Sequence, residues 1–236
     1  MNIKWQVARD YFSLSFDRSV RCLSSAILGG GFNEINSFLN MRVDENFGGR
    51  KTDFPPPEQT IAEAAADCGL RLPVAGMMTA ANMNSFMYSS RTVCGIDVYC
   101  FLTSGLSNAL AAGDPADFRP QQMYSGPESS PSGTINIAVG IDCPLTDAAL
   151  AEALLVSCEA KSSVLFELGV KSTASQRPAT GTGTDSAIVL CSKPQGPDDA
   201  FDMEAFCGKH TMIGESIAAV VREALFESLK GDKLFN

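Results

Sequence analysis

The clearest periodic stretch of the chain is Thr134–Asp142 (TINIAVGID). Ile135, Ile137, Val139 and Ile141 fall on one face of a strand, and Thr134, Asn136, Ala138 and Gly140 on the other. The second face is small and partly polar, so it suits either a close-packed second sheet or a ligand. Ile3, Trp5 and Val7, followed by Phe12, Leu14 and Phe16, predict two strands joined around Ala8–Asp10. Arg18–Leu28 reads as a further strand ending at Gly29-Gly30-Gly31, Arg91–Thr103 as one core strand, and Ser186–Cys191 as a short buried one. Val74–Ala81 is apolar except for Thr79.

Three helices punctuate these strands. Thr60 and Glu63 have the spacing of a capping box, and the alanine-rich helix they predict stops at Gly69. Pro144 and Thr146 open a long helix to Leu168, with Leu150, Leu154, Cys158, Leu165 and Leu168 as its stripe and Gly169 as its stop. Thr211 caps a last helix whose stripe is Ile213, Ile217, Val220, Val221, Ala224, Leu225 and Leu229, ending at Gly231. Lys51–Gln59, Gly113–Ser132 and Lys193–Asp199 are Pro/Gly loops, and the second is long enough to serve as a lid. No linker divides the chain. The pattern predicts an α+β or α/β protein: one layered domain over 1–236, with β-sheets flanked by helices.

Composition narrows the function classes. The 236 residues carry a formal net charge of -9 and no Lys/Arg-rich run, which argues against nucleic acid or an anionic membrane as partner. No segment is apolar for long enough to span a bilayer, and MNIKWQVARDYF does not read as a signal peptide. The eight cysteines are scattered without a CxxC pair, which predicts reduced thiols in a cytoplasmic protein, several of them in the core. One histidine and no HExxH motif argue against a metal centre.

The candidate chemistry gathers at Arg177–Asp185 (RPATGTGTD). Thr180, Gly181, Thr182, Gly183 and Thr184 can bring hydroxyls and backbone amides to a ligand, or can simply form a tight turn before a strand. Gly181–Thr184 is similar to the GTG element of tubulin-like nucleotide loops. A strand follows here instead of a helix, and no Walker lysine is present, so a phosphate cradle is disfavoured. Asp185 starts a core strand, where Asp is unfavourable without a reason. His210, beside Lys209 and before the last helix, is either a base or an ordinary capping-region residue. Glu159 and Lys161 lie on the long helix two residues apart, so they do not face each other.

A set of short stretches, in order from about residue 20 onward, resembles the adenosylcobinamide amidohydrolase family of corrinoid salvage enzymes. They are Leu23–Ala26 with Gly29-Gly30, Val74–Ala81, Thr103–Gly113, Gly133–Ile137, Glu159–Lys161, Ala179–Asp185, and Gly208–Thr211 with Gly214-Glu215. The resemblance implies hydrolysis of the amide that joins aminopropanol to the corrin ring. The cobalt corrinoid is then the substrate, and no further cofactor is implied. On that reading, Asp185 or Glu159 activates water or one of the hydroxyls of Thr182 and Thr184, and His210 protonates the leaving amine. Asn40, Thr79, Asn108, Asn136, Thr180, Gly181, Gly183 and Lys209 contact the substrate. The order of elements is also similar to layered αββα proteins that include N-terminal-nucleophile aminopeptidases, which suggests a four-layer sandwich. That likeness is carried over for architecture and not for mechanism, because the sequence shows no self-cleavage site. A non-catalytic corrinoid carrier is the alternative, and a homo-oligomer is compatible with either reading.

Overall fold

The computed structural model describes residues 1–43, 55–115, 133–194, 196 and 203–230. In chain order its elements are β1 (Ile3–Val7), β2 (Tyr11–Ser24), β3 (Gly31–Arg42), α1 (Pro57–Asp67), β4 (Val74–Thr79), β5 (Met87–Val93), β6 (Ile96–Thr103), β7 (Ala109–Leu110), β8 (Asn136–Pro144), α2 (Asp147–Glu167), β9 (Gly181–Thr182), β10 (Ser186–Ser192) and α3 (Met212–Lys230). Eight strands form one sheet in the order β4-β3-β2-β10-β8-β6-β5, with β1 alongside β2, while β7 and β9 form a separate short ladder.

The sheet is bent over on itself. Ser15 pairs with Ser37 and Val20 with Ile35, so residues 16–19 of β2 stand opposite residue 36 alone. An insertion of that kind kinks a strand and increases its twist. Before the bend β2 pairs with β1, and after it with β10. Phe12, Leu14 and Phe16 from before the bend share one buried cluster with Phe101, Ala138, Ile188 and Leu190 of the other half. A Cβ on Gly140 would already touch Ile3 and Met1 at 3.2 Å. The small face of Thr134–Gly140 is therefore covered by a close-packed second sheet, the first of its two expected partners.

Helices close both outer faces. Ile135, Ile137, Val139 and Ile141 face α2 and α3, together with Val98, Cys100, Leu102, Val189 and Cys191. On the opposite side Ile61 and Ala65 of α1 cover Leu39 and Val74. The result is the four-layer order α1, sheet, sheet, α2 with α3.

Several local expectations hold, each for a physical reason. Thr146 Oγ1 accepts from Ala149 N at 3.2 Å, Thr211 Oγ1 accepts from Gly214 N at 3.0 Å, and Gly69 and Gly169 end their helices at φ 67° and 69°. Other expectations are corrected. The first helix starts earlier, at Pro57, with no side-chain cap, and Thr60 lies inside it instead of at a capping box. Arg91–Thr103 is not one strand, because Cys94 and Gly95 turn there at positive φ and split it between β5 and β6. Arg18–Ser24 is the continuation of β2, not a separate strand. Cys158 is exposed and Leu154 only half-buried, whereas Ala149, Ala153, Val156, Ala160 and Val164 join Leu150 and Leu165 in the buried stripe of α2. The proposed lid falls mostly on residues 116–132, outside the described residues, as do parts of the other Pro/Gly loops and Gly231.

Close packing of α1 against β4 depends on Gly76, where a Cβ would run into Ile61 Cγ2 and sit 3.7 Å from Leu28 Cβ. Gly76→Ala is expected to lower stability by about 1–3 kcal/mol through overpacking. Urea unfolding of the variant beside the parent protein checks this, and an unchanged midpoint would contradict the packing.

Candidate functional site

β8 and β10 run parallel and begin at the same end of the sandwich, where β6 finishes: Asn136 pairs with both Ser186 and Thr103. The Thr/Gly loop folds across this end. Its β9 segment pairs with β7, Ala109 opposite Thr182 and Leu110 opposite Gly181. Ser162 of α2 donates to Thr180 O at 2.9 Å, and Ala112 N donates to Thr180 Oγ1 at 2.9 Å. The loop is thus tied to the sheet, to β7 and to α2 at once.

Asp185 is the centre of that fixation. Its carboxylate accepts from Ile135 N at 2.9 Å, Thr182 N at 3.0 Å and Thr182 Oγ1 at 2.5 Å, and forms an ion pair with Lys161. Four donors occupy about the full acceptor capacity of a carboxylate. The side chains of Lys161 and Asp185 are only 12% and 14% exposed, so the pair is largely removed from water. Gly181 makes the approach possible. A Cβ there would collide with Asp185 Oδ2 and lie 2.7 Å from Lys161 Nζ. Asp185 stands at the start of a strand because it organises the loop before it.

Two other polar groups converge on this end. Thr134 Oγ1 and Thr184 Oγ1 are 2.7 Å apart, and Thr184 Oγ1 also donates to Gly133 O at 3.3 Å. Thr134 is buried and Thr184 exposed. Between the sheets, Asn136 Nδ2 donates to Asn40 Oδ1 at 2.7 Å and to Met78 O at 2.8 Å, and Asn40 Nδ2 donates to Thr103 Oγ1 at 3.0 Å. Among the described residues, Asn136 Oδ1 and Asn108 Oδ1 are buried without a hydrogen-bond partner. Buried acceptors left open are uncommon and mark places where water or ligand binds. Thr79 Oγ1 accepts from Ala81 N at 3.1 Å and shapes the adjoining turn.

A second clamp lies beside the loop. Asp114 accepts from Ala111 N at 2.8 Å, Ser172 Oγ at 2.5 Å and Arg177 Nη2 at 2.7 Å. Arg177 first, then the serine hydroxyls and the amide, hold its carboxyl far below the ordinary carboxylate range. The thiols of Cys22, Cys143 and Cys207 are pushed up to about 12, chiefly by burial, so they are protonated and unreactive near neutrality.

The structure thus brings Thr180, Gly181, Thr182, Gly183, Thr184, Asp185, Asn40, Asn108, Asn136 and Thr79 to one end. Glu159 lies on the α2 side of the loop, where it lines a cavity with Ser162, Ala179 and Thr180 and forms an exposed ion pair with Lys209. His210 is exposed, its ring over Gly208, just before the start of α3. Met212 at that start contacts Cys94, in the turn between β5 and β6, whereas Ser228 near the far end of α3 bonds Ser104 beside the site. The helix between them covers about 24 Å at 1.5 Å per residue. The sequence pattern marked Thr134 only as the first residue of a strand and Gly133 only within the stretch Gly133–Ile137, with no role for either. It noted Lys161 without its partner, because a 24-residue separation hides the ion pair.

The chain matches the family described as adenosylcobinamide amidohydrolase over residues 1–234. It is 28% identical over 209 residues to a Methanosarcina mazei protein named adenosylcobinamide amidohydrolase, covering 86% of this chain and 87% of that one. It is 33% identical over 216 residues to an uncharacterized protein of Methanocaldococcus jannaschii, covering 86% and 81%. Among solved structures, an L-aminopeptidase D-Ala-esterase/amidase from Ochrobactrum anthropi aligns with a TM-score of 0.45 at 11% identity, over 97% of this chain and 82% of that one.

Breaking one side of the Lys161–Asp185 pair leaves a largely buried charge unmatched. Lys161→Met and Asp185→Asn are each expected to cost about 3 kcal/mol or more, and the double variant less than the sum. A double-mutant cycle from urea unfolding measures the coupling, and additive single effects would refute it. The Asp114–Arg177 clamp has its own pH signature. A depressed folded-state pKa stabilises fully above the unfolded value near 3.8 and loses that contribution as pH falls below it. The stability gap between the parent protein and Arg177→Ala should therefore be widest above pH 4 and narrow below it, as urea titrations at stepped pH would show.

Proposed function

The chain belongs to the adenosylcobinamide amidohydrolase family and is an amide-cleaving hydrolase, and from this premise we propose that its substrate is adenosylcobinamide. The reaction would release 1-amino-2-propanol and leave adenosylcobyric acid, a salvage step for incomplete corrinoids. Cobalt would enter only as part of the substrate. The observation that carries the reading is the rigid hydroxyl- and carboxamide-rich end of the sandwich, where the loop held by Asp185 meets Asn40, Asn108 and Asn136.

That end suits an amide-rich ligand. Carboxamides both donate and accept, so the partly exposed Asn108 and the loop amides can match the carboxamide arms of a corrin without a charge on either side, while the buried Asn40–Asn136 pair braces the strands beneath them. Orientation by such contacts is what a hydrolase needs to hold one scissile amide among several similar groups. Asp185, with its acceptor sites occupied, supports the reaction by fixing the loop and the Ile135 amide. It is a positioning residue in this reading. His210 lies away from the constellation and Glu159 beside it, held by Lys209, and this reading gives none of the three a part in the bond-breaking step.

Incubation with adenosylcobinamide and quantification of free 1-amino-2-propanol tests the proposal. Release with turnover is expected, whereas tight binding with no release would favour a corrinoid carrier. His210→Ala is expected to keep hydrolysis within about threefold of the parent rate, because general acid catalysis, where it operates, contributes roughly a hundredfold or more. A loss of that larger size would return His210 to the chemistry.

A further inference from the structure

Most of the hydroxyls around Asp185 have structural duties. Thr182 Oγ1 donates to Asp185, Thr180 Oγ1 accepts from Ala112 N, and Ser162 Oγ bonds Thr180 O. Thr134 and Thr184 are different, although Thr184 Oγ1 also makes a longer bond to Gly133 O at 3.3 Å. Their hydroxyls bond to each other at 2.7 Å, and the pair links a buried group to the surface: Thr134 is 3% exposed and Thr184 is open to solvent. We infer that Thr134 Oγ is the nucleophile of this hydrolase, that Thr184 Oγ relays its proton, and that Asn108 Nδ2 receives the developing oxyanion. The inference rests on the amide-hydrolysis reading above and assigns the reacting atom within it.

Three observations converge on Thr134. First, the peptide that follows it is fixed at both of its polar groups: Gly105 N donates to Thr134 O at 3.0 Å, and Ile135 N donates to Asp185. The Lys161–Asp185 pair thus holds the residue that follows Thr134, which is a reason to keep a costly, largely buried ion pair at this point. Second, the residue before it is a glycine in a space that admits no side chain. A Cβ at Gly133 would stand 2.6 Å from Gly105 O, 2.6 Å from Asn108 Oδ1 and 2.9 Å from Ser107 N. Third, the carboxamide of Asn108 is wedged between Gly133 and Gly183, its Oδ1 buried and unpartnered and its Nδ2 3.5 Å from where a Gly183 Cβ would be. The Nδ2 donor of that amide faces Gly183, next to Thr184, the partner of the Thr134 hydroxyl, and an amide N–H fixed in such a place can serve a developing oxyanion.

The step balances without a metal or an external base. Thr134 Oγ adds to the carbonyl carbon of the scissile amide. Its proton passes to Thr184 Oγ as the Thr184 proton passes to the amide nitrogen. The C–N bond breaks, 1-amino-2-propanol leaves as the neutral amine, and the corrin acyl group remains on Thr134 as an ester. Water then adds to the ester carbonyl, its proton returns through Thr184 to Thr134 Oγ, and adenosylcobyric acid departs. The same relay serves both halves in opposite directions, as microscopic reversibility requires. Burial of Thr134 holds its hydroxyl in one place, and the exposed Thr184 marks the side from which the substrate, and then the hydrolytic water, arrive.

Two experiments decide it. In the first, aminopropanol release is measured for Thr134→Val, Thr134→Ser and Thr184→Val, each with a urea midpoint as the folding control. Folded Thr134→Val should lose about a hundredfold or more, Thr134→Ser should retain measurable turnover, and Thr184→Val should lose kcat with little change in KM. A folded Thr134→Val with a tenth or more of the parent rate overturns the assignment. In the second, the unaltered protein is treated with a β-lactone, a general acylating probe for nucleophilic hydroxyls, and the ester is mapped by peptide mass spectrometry. Acylation of Thr134, slowed in Thr184→Val, supports the assignment even if a variant fails to fold. Acylation at Thr182 or Thr180 instead, or none, overturns it. The two readings fail separately: labelled Thr134 in a protein that releases no aminopropanol would reject the substrate and keep the nucleophile.

Discussion

The two halves of one sheet press face to face, and this requires the inner face of β8 to be thin. Asn136, Ala138 and Gly140 meet that requirement, and their small side chains let β1 and the first half of β2 lie close enough to share a core with β6 and β10. Everything else follows from that contact. With the inner faces joined, the outer faces remain apolar and must be covered, so α2 and α3 pack on one side and α1 on the other. The bend at residues 16–19 is the geometric counterpart: without extra residues in β2, the β2–β3 ladder would continue outward instead of folding over.

A sandwich made this way is polar at one end. There the inner face of β8 changes from Ala138 and Gly140 to Asn136 and Thr134, and the facing strands contribute Asn40 and Thr103. Groups buried in such a place must be paired, and most are. The exceptions, Asn108 Oδ1 and Asn136 Oδ1, lie where the Thr/Gly loop closes the end. The loop is rigid because Lys161 and Asp185 are desolvated together and because the carboxylate collects the amide and hydroxyl of Thr182 within the loop and the Ile135 amide beside it. Positional accuracy of this kind is what a site must have before any of its groups can act chemically.

Much of the layered fold was legible along the chain. The period-two pattern of β8, the Thr146 and Thr211 caps and the glycine stops at 69 and 169 are local signals, and local signals survive into the fold when nothing tertiary opposes them. The failures were also local. Thr60 and Glu63 had the spacing of a cap, but Pro57 begins that helix a turn earlier. Cys94-Gly95 turned a run that propensity alone read as continuous strand. The site was half legible. RPATGTGTD stood out by composition, and Asp185 by its misfit with a strand. His210 drew attention by being the only histidine, which is a property of composition and carries no information about distance.

The sequence by itself determined the three helices, the strand character of β1, β8, β10 and the first half of β2, and that hydroxyl, glycine and carboxamide residues are concentrated in a few stretches, because these depend on neighbours a few positions apart. Only the tertiary structure decided that Asp185 is a brace and not a free carboxylate, since its partners Ile135 and Lys161 lie 50 and 24 residues away. It also decided that Thr134 and Thr184, 50 residues apart, share one hydrogen bond, while His210 stands at the opposite end of α3 from the site. Periodicity reports orientation relative to a core. Which polar groups meet at the rim of that core depends on how the sheet bends, and the bend is set by contacts that no short window of sequence contains.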